Sequence, residues 1–143
     1  MLDILLIEDR EDDQILFRRA AEACGLGLRV VWLRSCQEAI DYLEARGGYW
    51  DRAAHPIPDL IMLDIEMRGM DGLAFLAWRQ RSVLAAVLPT VVFSGLTEPG
   101  LWVRALAAGA AFVIKPRDVS EWPAAIAEAC ELGGVARAEQ NVA

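Results

Sequence analysis

Five short apolar runs recur along this chain, and each gives way to polar residues. Residues 3–7 lead into Glu8-Asp9, 28–33 into Arg34-Ser35, and 59–64 end on Asp64 itself. Residues 90–94 end on Ser94, followed by Gly95, and 112–114 lead into Lys115-Pro116. An unbroken apolar run lacks the alternation of a strand with one wet face. It reads as a strand covered on both faces, the parallel-sheet type.

Helical patterns fill the gaps. Leu16, Ala20, Ala23 and Cys24 share one face behind a cap at Asp12 or Asp13, with Gly25 as a stop. Ser35-Cys36-Gln37-Glu38 is a capping box for a helix through Ala45. Helices over 72–81, 99–108 and 120–133 follow, and Pro123 is tolerable only near the start of the last. Residues 66–71 read as a turn, and 46–58, broken by Gly47-Gly48, Pro56 and Pro58, as an unusually long connection. Strand and helix alternating five times predict an α/β domain over 1–133, a doubly wound sheet of five parallel strands, with a polar tail at 134–143.

Composition narrows the function. With 143 residues, 55% of them hydrophobic, the chain can build a core without disulfide or metal staples. No apolar run reaches the roughly 18 residues of a membrane span, and no basic stretch opens a secretory signal. The three cysteines have no close pair and read as reduced core residues of a cytoplasmic protein. A net charge of −7 argues against a nucleic-acid partner. A single lysine, Lys115, stands among thirteen arginines, a place where a compact ammonium does what a planar guanidinium cannot.

In an open parallel sheet, ligands bind beyond the carboxyl ends of the strands. There this chain gathers Glu8, Asp9, Asp64, Ser94, Gly95 and Lys115. Converging carboxylates repel unless a cation joins them, and hard oxygen ligands with room for water suit Mg²⁺. A hydroxyl, a backbone N–H and an ammonium on the other sides suit a phosphoryl group. One carboxylate can be its nucleophile, and the lack of a Gly-rich cradle argues against ATP as donor.

These residues resemble the receiver domain of two-component response regulators. The resemblance rests on Leu5-Leu6-Ile7-Glu8-Asp9, Asp59-Leu60-Ile61-Met62-Leu63-Asp64 with Met67 and Met70-Asp71-Gly72, Val92-Phe93-Ser94-Gly95, and Phe112-Val113-Ile114-Lys115-Pro116. It implies the flavodoxin-like receiver fold with strand order 2-1-3-4-5, and a signalling module rather than a turnover enzyme. It implies that Asp64 accepts a phosphoryl group from a sensor histidine kinase. Asp9, Asp64 and the Glu66 backbone carbonyl would bind Mg²⁺, with Glu8 acting through water. Ser94 and Phe112 would form the switch, and Lys115 would pair with the aspartate and then with the phosphate. Leu96 and Glu66 would flank the approach of the hydrolytic water. Arg68 stands where the family commonly has proline. The long 46–58 connection and the missing output domain resemble stand-alone receivers, some serving phytochrome-type kinases. The expected output is a homodimer through the face of helix 4, strand 5 and helix 5. Core filling is the default for tryptophan, with a partner surface the rival reading for Trp102 and Trp122; His55 is expected at the surface. Two other readings compete: a phosphate-independent pseudo-receiver, and a haloacid-dehalogenase-type phosphatase, in which the acid pair follows the lysine instead of preceding it.

Overall fold

The computed structural model describes residues 1–66, 71–95 and 98–135. Met67, Arg68, Met70, Leu96 and most of the tail lie outside the described residues. The strands are β1 (Leu2–Ile7), β2 (Leu28–Leu33), β3 (Leu60–Leu63), β4 (Thr90–Ser94) and β5 (Ala111–Ile114). The helices are α1 (Glu11–Ala23), α2 (Cys36–Leu43), α3 (Gly72–Arg81), α4 (Pro99–Ala107) and α5 (Trp122–Leu132). All four strand pairs are parallel, in the order β2-β1-β3-β4-β5.

The apolar runs are explained by two cores. Leu5, Ile7, Ile61, Leu63 and Val92 point to one side, where α2, α3 and α4 bury Ala39, Ile40, Leu43, Phe75, Leu76 and Ala105. Their strand neighbours Ile4, Leu6, Leu60, Met62, Val91 and Phe93 point to the other, against Phe17 and Ala21 of α1 and Ile126 and Ala129 of α5. Side chains alternate along a strand, so covering both faces makes the middle of each inner strand apolar throughout: residues 4–7, 60–63 and 91–93.

The helices depart from the expected detail. Arg10, not Asp12 or Asp13, is the cap residue of α1; Glu11, Asp12 and Asp13 are all in its first turn, where acids complement the helix dipole. Its buried face is Gln14, Phe17, Ala20 and Ala21, and Ala23 is exposed. Ser35 does accept the Glu38 N–H at 3.1 Å, but Glu38 reaches back to the N–H of Arg34. α2 ends at Leu43, and Ala45 takes a left-handed φ of 56°. The connection after it is ordered: a short 3₁₀ turn spans Gly47–Tyr49, and Arg52 donates to the Tyr42 and Leu43 carbonyls at the α2 end. His55 packs edge-on against Tyr42 and Tyr49, with centroids 5.8 and 5.2 Å away.

A 3₁₀ turn at Val119–Glu121 precedes α5, which starts two residues later than expected. That start turns Trp122 toward the sheet. Only 4% exposed, it stacks edge-on against Phe93 at 5.3 Å and donates its indole N–H to the Pro116 carbonyl. Trp122 is therefore core and not a partner contact; Trp102, 40% exposed, keeps that possibility.

Candidate functional site

Ladder hydrogen bonds carry three polar residues past the strand ends. The Glu8 N–H donates to the Leu33 carbonyl, the Asp64 N–H to that of Ile7, and the Lys115 N–H to that of Ser94. Each of these residues continues its strand by one step, so the sheet itself sets their spacing. Together they lie across the β1–β3 crevice, the switch point where connections diverge to opposite faces.

The Lys115 ammonium sits at the centre. Its Nζ lies 2.6 Å from Glu8 Oε1, 2.8 Å from Asp13 Oδ2 and 3.1 Å from Asp64 Oδ2. Beneath it the rings of Phe93 and Trp122 are centred 5.9 and 6.0 Å away, close enough for a cation–π attraction. The Glu8, Lys115 and Asp64 side chains are nearly sealed from water, at 2%, 11% and 5% exposure, whereas Asp13 is 21% exposed. The other Asp64 oxygen, Oδ1, accepts the Glu66 N–H at 2.9 Å, which fixes the carboxylate plane.

One ammonium cannot neutralise three carboxylates. Burial pushes the Glu8 carboxyl up, Lys115 pulls it back, and Asp64 pushes it up again, to about 7. Burial alone would lower Lys115, but Asp64, Glu8 and Asp13 outweigh it and hold the ammonium above its ordinary value. On the far side of the sheet end, the Cys36 thiol is pushed up to about 12 by burial and by Asp71, Asp64 and Asp9, which leaves it inert as a nucleophile.

Of the expected site residues, Glu8, Asp64 and Lys115 are in mutual contact. Asp9 is half-buried beside them but outside the group of oxygens that lie within 4.8 Å of one another, which is Glu8, Asp13 and Asp64. Ser94 is fully buried at the end of β4; Gly95 and Glu66 are exposed. Phe112 is half-buried on β5, its ring 5.3 Å from that of Trp102. Leu96 lies outside the described residues. Sequence reasoning missed Asp13, which it offered only as a helix cap. The available signal was its place four residues after Asp9, in a helix that starts directly above the site.

The acids at this sheet end outnumber the one ammonium, and oxygen donors with charge to spare fit a hard divalent cation; among the Glu8, Asp13 and Asp64 oxygens themselves, the cation is Lys115 Nζ.

The chain matches the family described as response regulator receiver domain over residues 4–127. It is similar to a response regulator in red light signalling of R. palustris, with a TM-score of 0.85, 19% identity and 92% of each chain covered. It is also similar to the phosphorylated cyanobacterial phytochrome response regulator RcpA, with a TM-score of 0.81, 26% identity and 91% of each chain covered. A curated relative, "Probable methanogenesis regulatory protein FilR2" of Methanothrix harundinacea, is 33% identical over 95 residues, 66% of this chain. The chain spans 59% of that protein's length, and a quarter or less of the protein-glutamate methylesterases that also match.

Proposed function

The chain belongs to the response regulator receiver family, and from that premise we propose that it accepts a phosphoryl group on Asp64 from a sensor histidine kinase. The observation that carries this reading is the Asp64 carboxylate held in one plane by the Glu66 N–H, with the Lys115 ammonium on its other oxygen. The carboxylate is the nucleophile, and the kinase phosphohistidine is the leaving group. Lys115 supplies positive charge where phosphoryl charge gathers, and the buried Ser94 end of β4 supplies a hydroxyl beside it. Mg²⁺ would be held by Asp9, Asp64 and the Glu66 carbonyl, with Glu8 acting through water. When bound it neutralises charge on the entering phosphoryl group.

The module signals and does not turn over a substrate. A phytochrome-type kinase fits as partner, given the likeness to RcpA. The signal leaves by Ser94 and Phe112 to the face of α4, β5 and α5, where a second copy of this chain would dock. Among the described residues, no helix is long and apolar enough to cross a membrane.

Titration with beryllofluoride, read by tryptophan fluorescence, tests the reading. The protein should bind it only when Mg²⁺ is present. Asp9→Asn should weaken Mg²⁺ binding on the order of 10-fold or more, about 1.4 kcal/mol, because a charged ligand becomes neutral at constant volume. Binding of beryllofluoride without Mg²⁺, or unchanged Mg²⁺ affinity in Asp9→Asn, would contradict it.

A further inference from the structure

A lysine ammonium has three N–H donors, and in this structure all three are in use. They go to Glu8 at 2.6 Å, Asp13 at 2.8 Å and Asp64 at 3.1 Å. Phosphorylation takes the charge off the Asp64 carboxyl and frees its donor, at 3.1 Å, for the phosphoryl oxygen. The donors to Glu8 and Asp13 still hold the ammonium back, and it can close fully on the phosphoryl group only if one of those two lets go. Glu8 is sealed at 2% exposure and makes the shortest contact. Asp13 differs: its side chain is 21% exposed, and it stands in the first turn of α1. Water and the helix N-terminus both stabilise its charge once it lets go. Of the bonds to Glu8 and Asp13, the one to Asp13 is therefore the cheaper to break.

We propose that Asp13 is a positioning residue that competes with the phosphoryl group for Lys115, and so biases the site toward its unphosphorylated state. The proposal rests on Asp64 being the phosphoacceptor. It assigns Asp13 to the ammonium and not to a metal: the cation among the three carboxylate oxygens is already Lys115 Nζ. Once Asp13 lets go, Lys115 can turn to the phosphoryl oxygen while keeping Glu8. A carboxylate at this position sets a threshold that a neutral side chain would not.

The test compares the parent with Asp13→Asn and Asp13→Glu. Beryllofluoride is titrated at saturating Mg²⁺, and Mg²⁺ is titrated separately, both by tryptophan fluorescence; Trp122 lies against Lys115 and provides the signal. Asparagine keeps the shape but loses the charge, so beryllofluoride should bind about 10-fold more tightly, with Mg²⁺ affinity nearly unchanged. Glutamate restores the charge and should return affinity toward that of the parent. In a Lys115→Ala background the gain from Asp13→Asn should vanish, since there is no ammonium left to compete for. Unchanged or weaker beryllofluoride binding in Asp13→Asn overturns the proposal, as does a parallel loss of Mg²⁺ binding, which would make Asp13 a metal ligand. A gain that survives in full without Lys115 also overturns it, because plain repulsion would then suffice. If the parent itself takes up no beryllofluoride, the phosphoacceptor reading fails and the proposal with it. Uptake by the parent with no gain in Asp13→Asn removes the proposal alone.

Discussion

Glu8 shows how far one buried side chain can shift the balance of the whole domain. Its carboxyl is pushed up to about 7 by burial first, against the pull of Lys115. The native state therefore holds a proton that the unfolded chain, with an ordinary glutamate value near 4.5, has released. This contribution to stability is fully present below pH about 4.5 and is lost as pH rises through about 7. Glu8→Gln removes the titration and keeps an acceptor for Lys115. In urea unfolding, the variant should gain on the parent by roughly 2 kcal/mol between pH 5 and pH 8; a difference independent of pH would mean that Glu8 does not titrate in this window. At this scale much of the site was legible. A lone lysine after an apolar run, and acids after two others, can only meet at one edge of a parallel sheet, and Glu8, Asp64 and Lys115 do meet there. For Asp13 the spacing from Asp9 was too weak a signal to decide, because an acid at a helix start looks the same whether it faces its own backbone or a neighbouring ammonium. Only the placement of α1 over the sheet separates the two.

The elements hold the site through a few close approaches. Gly72 opens α3 where a Cβ would come within 2.8 Å of the Ile65 Cα and 2.9 Å of its Cγ1. The nearest atom is backbone, one residue beyond Asp64, so it cannot step aside without moving Asp64. Gly72→Ala should destabilise the fold by about 1–3 kcal/mol, the usual range for overpacking. It should also weaken beryllofluoride binding; full stability by thermal unfolding would show that α3 can shift freely. Arg79, on the same helix and 5% exposed, makes a second tie by donating to the carbonyls of Ala86, Leu88 and Ala108. It spans α3, the approach to β4 and the end of α4 without a carboxylate partner in these contacts. Strand positions were readable to within a residue or two because a run buried on both faces has no polar alternative. The face of α1 was harder. Alanine carries little directional signal, so Ala20 and Ala23 looked as good a stripe as Ala20 and Ala21, and the phase is set by Phe17 against Phe93 at 5.9 Å. For Trp122 the default core reading holds over its partner-surface rival: the 3₁₀ turn before α5 delays the helix and rotates the ring into the core.

For the molecule as a whole, the acidic site and the largest uncovered apolar residues of α4 and β5 lie at different places on the sheet. The acids and Lys115 crowd the carboxyl end of the central strands, while the edge strand β5 and its flanking helices leave apolar surface uncovered. Val103, Leu106 and Ile114 are 65%, 61% and 39% exposed, beside the paired rings of Trp102 and Phe112. A groove of about 490 Å³ runs along this face, lined by Trp102, Phe112, Ile114, Pro116, Glu121 and Glu128. Scattered exposed apolar residues are ordinary, but several on one face beside a groove fit the docking surface proposed above. A symmetric dimer through it should appear in sedimentation on the order of tens of micromolar and tighten with beryllofluoride, and Leu106→Glu should abolish it. A monomer under both conditions would remove this face as the output. All of this depends on one bond, the acyl phosphate at Asp64. The decisive measurement is intact mass after exposure to a small-molecule phosphodonor with Mg²⁺. The parent should gain one phosphoryl group, lost on treatment with hydroxylamine and absent in Asp64→Asn. No gain in the parent, or an equal gain in Asp64→Asn, would contradict it.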